Sequence, residues 1–459
     1  MNTRLFVHAI LAAASFASLH ASAADLKDVY ELARTNDPLI REAEANRLAA
    51  RESKPQAVAA LLPQIEGSGQ YNDAESDGTG LDINPPNPPT SFDRLSQGTS
   101  TNWGLNLRQN VFRWENWATL KRADSERAQA EADYLAAQQD LILRTSTAYF
   151  LVLAAQDTLE AAQAAHDAIG RQLEQSEKRF EVGLIAVTDV QEAKAAFDQA
   201  TAALIEAKRN LATTGERLRE LTGDAFAELS KPGSDMPLSG PNPASPEDWV
   251  KLAMEQNARL ISSRLAADIT RHNISSERGG HLPSVDFVVS RSYFDSDTEF
   301  TGTVTGQGES DFEDTVYSVQ LTVPIFSGGA TSSRVRQAEY RHIAARERLE
   351  RTARETERET RDAYLGVNSE VARVQSLKQA VESAMTALQA TEAGYEVGTR
   401  TSVDVLDARR RLFEAQTNYA RSRYDYLLNV LRLQLAAGTL DQKGLTDINT
   451  LLTESVRVR

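Results

Sequence analysis

Phe180-Glu-Val-Gly-Leu-Ile-Ala-Val-Thr-Asp-Val190 interrupts two long helical seams, and the same interruption returns 215 residues later as Tyr395-Glu-Val-Gly-Thr-Arg-Thr-Ser-Val-Asp-Val-Leu-Asp407. Before the first break, Leu159, Ala162, His166, Ile169, Leu173, Ser176 and Phe180 step by three and four. After it, Val190, Ala193, Phe197, Ala200, Leu204, Ala207, Leu211, Thr214, Leu218 and Leu221 do the same, which is the period of packed helices. The second copy places Val374, Leu377, Val381, Ala384, Leu388 and Thr391 before its break, and Val405, Ala408, Leu412, Ala415, Tyr419, Ser422, Tyr426, Asn429, Leu433 and Ala436 after it. The register holds without a gap from Ala148-Tyr149 against Ala363-Tyr364 to Gly223 against Gly438. Further upstream, Leu32-Ala33 matches Leu252-Ala253 and Leu62-Pro63 matches Leu282-Pro283. The chain is therefore two copies of one structural unit.

Working outward, proline draws the rest of the map. All 14 prolines lie within 38–89, within 232–283 or at Pro324, leaving two long stretches almost free of helix breakers. One helix is expected over about Trp117–Val182, roughly 100 Å if continuous, with a return helix over Thr188–Thr222. In the second copy these become about Gly328–Val397 and Val403–Gly438. Shorter helices, about Leu26–Leu62 and Pro246–Leu282, would stack end to end on the return helices and complete their length.

Each copy also carries a strand pair. Ile65, Gly67, Gly69 and Tyr71 alternate with polar neighbours, as do Trp103, Leu105, Leu107 and Val111. Val285, Phe287, Val289 and Tyr293 repeat the pattern, followed by Tyr317, Val319, Leu321, Val323 and Ile325. One apolar face, one polar face and aromatics towards one end suit a transmembrane β-barrel strand, although a half-buried strand of a soluble sandwich shows the same alternation. The pairs are expected at 64–112 and 284–325, with polar loops over 73–98 and 296–314. Asn110 stands where the second copy has Pro324, so the two strand-to-helix bends differ in chemistry.

Residues 1–23 read as an export signal: Arg4, an apolar run from Phe6 to Leu19, then Ala21-Ser22-Ala23 before an expected mature start at Ala24. The net charge of −15 opposes nucleic-acid binding, which needs a basic face. The absence of cysteine excludes disulfides, thiolate metal sites and a lipidated N-terminal cysteine. Beyond the signal no apolar run is long enough to span a bilayer, so membrane entry would have to be by strands. Four strands cannot close a barrel, and open edges in lipid leave backbone groups unpaired, so the chain must oligomerise. A dimer would give 8 strands and a trimer 12. His166, His272, His281 and His342 are scattered without ligand spacing; no catalytic constellation, metal site or cofactor is expected, and the chain does not read as an enzyme.

The two tip motifs, Tyr424-Asp-Tyr-Leu-Leu-Asn429, Ala437-Gly-Thr-Leu440 and the duplication together resemble the TolC family of outer-membrane efflux channels, the outer membrane factors, over essentially the whole chain beyond the signal. The resemblance implies an α+β membrane protein: a homotrimer with a 12-stranded β-barrel, four strands per chain, continued by a long α-helical coiled-coil barrel. Its units would be the signal 1–23, a first repeat 24–223, a linker 224–245 in an equatorial region, a second repeat 246–438 and an equatorial tail 439–459. It implies an exit duct in the outer membrane with a large periplasmic portion, serving tripartite efflux pumps, type I secretion or both. Its partners would be a periplasmic membrane-fusion adaptor, an inner-membrane transporter of RND, ABC or MFS type, and outer-membrane lipid.

By the same resemblance Asp404 and Asp407, three apart on one helix face, form an acidic ring at the periplasmic gate. Tyr395 and Arg400 latch to Thr188 and Asp189, while Val182, Gly183, Leu184, Val397, Gly398 and Thr399 receive the adaptor. An acid-bearing helix start and a glycine C-cap are the plainer readings of the same residues. The alternative function is a periplasmic coiled-coil adaptor or structural protein without a membrane barrel, but such proteins usually carry one hairpin rather than a duplicated unit.

Overall fold

A computed structural model describes residues 23–82, 90–233, 235–302 and 305–458. The expected signal peptide lies, as far as Ser22, outside the described residues. The chain divides into two units, Met1–Asn46 with Ala132–Ile261 and Glu350–Arg459, and Arg47–Glu131 with Ser262–Leu349.

The first unit holds the hairpin tips, both return helices and, from 132 and 350 onwards, the greater part of the two long helices. Helix α4 runs over Trp114–Glu181 and α5 over Val187–Thr222, their equivalents being α8 at Ala330–Glu396 and α9 at Ser402–Ala437. At 68 and 67 residues, α4 and α8 each reach roughly 100 Å, as the unbroken seams require. The shorter helices differ from expectation. Leu26–Leu62 is not one helix but α1 (Leu26–Asn36), α2 (Pro38–Arg51) and α3 (Ser53–Ala59), and the second copy divides into α6 (Pro246–Gln256) and α7 (Ala258–Gly279). The breaks fall at equivalent sites, Asp37 and Asn257, both with extended backbone. Asp37 precedes a proline, which disfavours the helical region.

Each break joins two helix ends. Asn36 donates Nδ2 to the Thr222 carbonyl at 2.6 Å, satisfying the end of α5 where α2 begins. Asn257 donates Nδ2 to the Ala436 carbonyl at 3.0 Å and accepts from the Leu260 amide at 3.1 Å, so one side chain caps α9 and α7 together. The breaks before α2 and α7 thus meet the C-terminal ends of α5 and α9. α1 and α6 lie beside α5 and α9.

Between the repeats, β3 (Glu228–Pro232) pairs antiparallel with β6 (Leu452–Arg457), which follows α10 (Gln442–Asn449). The linker and the tail therefore form one small sheet. Ala24 adds to its edge, its amide donating to the Glu228 carbonyl at 3.1 Å and its carbonyl accepting from Ser230 at 3.1 Å. Leu26, Tyr149, Phe150, Leu153, Leu427, Leu431 and Leu445 form the core beneath. The Tyr149 hydroxyl donates towards Ser230 O at 2.6 Å and burial raises its pKa, while Arg144 holds buried Asp37 at 2.6 Å. Tyr424, stacked on Phe150, donates its hydroxyl to Asp157 at 2.6 Å.

The second unit is built on an antiparallel sheet of order β1-β2-β4-β5, with β1 at Gln64–Asp82, β2 at Thr90–Phe112, β4 at Ser284–Gly302 and β5 at Gly306–Thr322. Much of the loops expected at 73–98 and 296–314 is strand; only 83–89 and 303–304 fall outside the described residues. Alternation of polarity ends near Tyr71 and Tyr293, but ladder hydrogen bonds do not need an apolar face, so pairing continues. Opposed residues share a face, and the row Ile65, Leu107, Val289, Tyr317 is wholly apolar. On the opposite face Glu66, Asn106 and Ser290 form a row that is polar on three strands and ends on Val316 in β5.

The two bends are held differently. In the first copy Gln109, Asn110 and Asn116 donate to the Leu61 and Ala60 carbonyls at 2.8–3.2 Å, and Arg108 and Arg113 both bind buried Asp286, at 3.0 and 3.2 Å. In the second, Pro324 is followed by Gly328 and Gly329, both at positive φ.

Candidate functional site at the helix-hairpin tips

α4 ends in a left-handed glycine, Gly183 at φ 75°, with the Leu184 amide bonded to Arg179 O at 2.9 Å. α8 ends the same way at Gly398, φ 80°, with the Thr399 amide on Gly394 O at 2.8 Å. This closure needs a residue without Cβ at the positive φ, which explains why both copies keep glycine there. Val182, Leu184 and Val397 are then left exposed beside the glycines, at 70, 73 and 76 %.

The return helices open differently. α9 begins with a full capping box: Thr401 donates its amide and its hydroxyl to Asp404 Oδ2, each at 2.9 Å, and the Asp404 amide returns to Thr401 Oγ1 at 3.3 Å. The Thr401 amide and hydroxyl, with a smaller contribution from the Arg400 charge, hold the Asp404 carboxyl below the ordinary aspartate pKa. Asp407 accepts from Arg410 at 3.1 Å. α5 has Ala186 at the cap position, so only half a box remains, Asp189 accepting from the Ala186 amide at 3.3 Å.

Among the described residues no hydrogen bond joins Thr188 or Asp189 to Tyr395 or Arg400, and the Tyr395 hydroxyl is buried without a partner. At the tips the Arg179 guanidinium instead lies over the Tyr395 ring, 4.9 Å from its centroid. Arg400 folds over Gly394: a Cβ placed there would lie 2.8 Å from Arg400 Cγ. Sequence reading passed over three residues here. Arg179 and Gly394 are equivalent positions of the repeat, so the switch from arginine to glycine was a legible signal of asymmetry. Glu392 ties α8 to α9 by accepting from Arg409 at 2.7 Å, an ion pair that periodicity does not mark.

Above the tips α4, α5 and α9, with Leu388 of α8, line a groove of about 670 Å³ in which alanines such as Ala165, Ala168 and Ala196 stand with Leu406 and Phe413. Small side chains allow close helix approach and leave little to hold the helices in one position. Among the described residues there is no cluster able to hold a metal ion.

With this geometry in view, the chain matches the family described as outer membrane efflux protein over residues 29–224 and 249–439, one segment per repeat. It is 39 % identical to outer membrane protein TolC of Vibrio cholerae, over 97 % of each chain. It is 30 % identical to alkaline protease secretion protein AprF of Pseudomonas aeruginosa, covering 93 % of this chain and 86 % of that one. The Campylobacter jejuni CmeC outer membrane channel, at 19 % identity, has the same fold, with a TM-score of 0.72 over 93 % of this chain and 90 % of that one. The chain belongs to the outer membrane efflux protein family and is an outer-membrane channel.

Proposed function

We propose that three copies of the chain close a 12-stranded barrel in the outer membrane and continue it as a helical duct. The duct is the exit of a pump assembled with a periplasmic adaptor and an inner-membrane transporter. The observation that carries this reading is the sheet itself: β1 and β5 each pair on one side only, while one face bears a band of apolar side chains of which Ile65, Leu105, Tyr317, Val319 and Leu321 are exposed. Neither feature suits water, and chain-to-chain closure in lipid resolves both. Three times four strands is an even count within the range of bacterial barrels. The relatives suggest small molecules and secreted proteins as cargo.

The same proposal makes the tips the gate. Asp404 and Asp407 from three chains encircle the periplasmic mouth, and Tyr395 and Arg400 engage Thr188 and Asp189 to keep it shut. The exposed turns at Val182, Gly183, Leu184 and at Val397, Gly398, Thr399 are the adaptor's dock. The orphan Tyr395 hydroxyl supports a latch completed by movement or by a neighbouring chain.

Because the chain has no cysteine, the barrel can be tested cleanly. One cysteine in β1 and one in β5, scanned through the register, should give oxidised trimers in outer-membrane fractions. A protein that remains monomeric and soluble in the periplasm at every register would favour the coiled-coil adaptor alternative.

A further inference from the structure

The mainly polar face of the sheet carries Val288 and Val316 near the bends and Phe300 beneath Arg94 near the far ends, and between them, among polar rows, an aromatic pair with no such partner. Register places Gln70, Asn102, Phe294 and Phe312 in one row across all four strands. Neighbouring rows on that face are Ser68, Gly104, Ser292 and Asp314, then Asn72, Ser100, Ser296 and Ser310. Phe294 and Phe312 lie tilted against each other, centroids 5.2 Å apart, and Phe312 is 53 % exposed. Aromatics on the other face, Tyr71, Trp103 and Tyr293, have lipid headgroups to meet; these two have only water. Asp314 stands two residues from Phe312 on the same face, about 6.6 Å along the strand, and makes no ion pair among the described residues. Glu66, one row beyond Asp314 towards the bends, is the other carboxylate on that stretch of the face not paired to arginine, because Asp286 is held by Arg108 and Arg113.

We propose that Phe294, Phe312 and Asp314 form a contact site on the channel side of the strands for organic cations with aromatic rings. The site rests on the barrel reading, which makes the polar face the channel wall and repeats it three times. Ring faces attract both a cation and a second ring, and the unpaired carboxylate adds the complementary charge. Gln70 and Asn102 complete the row with neutral donors and acceptors, so an anion finds no fixed positive charge there. Leaving cargo would touch this girdle near the end of its path, after the helical duct.

The test is single-channel recording of the purified full chain in a planar bilayer, with tetraphenylphosphonium added on the side of the strands' outer ends. Brief reversible blocks are expected, with tetramethylammonium at equal concentration giving none. Phe294→Ala with Phe312→Ala should shorten the dwell time roughly tenfold, since each aromatic face contributes a few-fold. Tyrosine at both positions should retain the dwell, and Asp314→Asn should shorten it. Phe294→Leu with Phe312→Leu keeps the apolar bulk, and it is the decisive variant if the alanine pair fails to assemble. Dwell times unchanged in the leucine pair, or no tetraphenylphosphonium block in the parent channel, would overturn the site. Failure of the parent to form any conducting channel would instead overturn the barrel on which the site rests.

Discussion

At the scale of single residues, the tip carboxylates are less free than a bare ring of charge. Asp404 is engaged by its own cap and Asp407 by Arg410. Asparagine at both positions keeps an oxygen for the Thr401 cap while deleting the charge. Block of the channel by a trivalent hexammine ion from the periplasmic side should weaken by roughly tenfold or more, because a multivalent ion meets several carboxylates at once. Asp198 and Asp425, placed elsewhere on the return helices, serve as controls; equal block of the parent and of the variant combining Asp404→Asn with Asp407→Asn would leave these aspartates as helix caps only. Half-buried Asp157 behaves in the opposite sense. Burial outweighs the Tyr424 hydroxyl and the charges of Lys231 and Arg423, with Glu160 adding to the rise, so its pKa is raised. A carboxyl raised by folding destabilises the fold once ionised, and that loss grows as pH climbs from the unfolded value, near 4, through the folded one. Asp157→Asn should therefore melt higher than the parent at pH 7.5, with the gap closing towards pH 4; a constant gap in thermal unfolding would reject the assignment. The tip glycines and acids were legible because each repeats in both copies. Arg179 was legible only as a departure from the repeat, and its contact with Tyr395 was not, since that depends on how two hairpins meet.

At the scale of elements, the long helices follow from unbroken heptads, and their ends agree with expectation to within a few residues. What periodicity could not show was the break at Asp37 and at Asn257. Both flanking segments remain amphipathic, so the apolar pattern runs through while the backbone turns. The signal lay in Asn36-Asp37-Pro38 and its equivalent Gln256-Asn257-Ala258, residues suited to capping. Strand lengths were underestimated for a related reason: pairing outlasts the apolar face. The caps at the two breaks give a quantitative expectation. Asn257→Ala removes the donor to Ala436 and the acceptor for Leu260 together, so it should cost about 1–2 kcal/mol. Amide exchange should rise in the first turn of α7 and the last turn of α9 and remain unchanged at the tips. Exchange that rises in α7 alone would show that the two helices are capped independently.

At the scale of the whole molecule, the proposed barrel rests on which face of the sheet meets lipid, and the strand register sharpens where that face would be most sensitive. The aromatic row Gly69, Trp103, Tyr293 marks one limit of the apolar band, and the bends near Val111 mark the other. Glu313 and Arg291, an ion pair on this face, lie in the aromatic row and one row inside it, where the proposed barrel would still let water and headgroups reach them. The row Ile65, Leu107, Val289, Tyr317 falls midway between the limits. Arginine at Leu107 or Val289 should then cost about 2–4 kcal/mol, with smaller losses for arginine at Leu105, beside Arg291, and at Val111. Arginine at Asn106 or Gln320, on the channel side, should be tolerated. The measurement is the fraction of each variant recovered as heat-modifiable trimer from the outer membrane, plotted against position along the strand. A maximum loss at Leu107 with tolerance at Asn106, its immediate neighbour, requires lipid on one side and water on the other. A soluble sandwich would also reject arginine at Leu107, but it would show no relief towards Leu105 and Val111, because a protein core has no headgroup region at its edge. Depth dependence, more than intolerance at any one position, therefore separates a membrane barrel from a buried sheet.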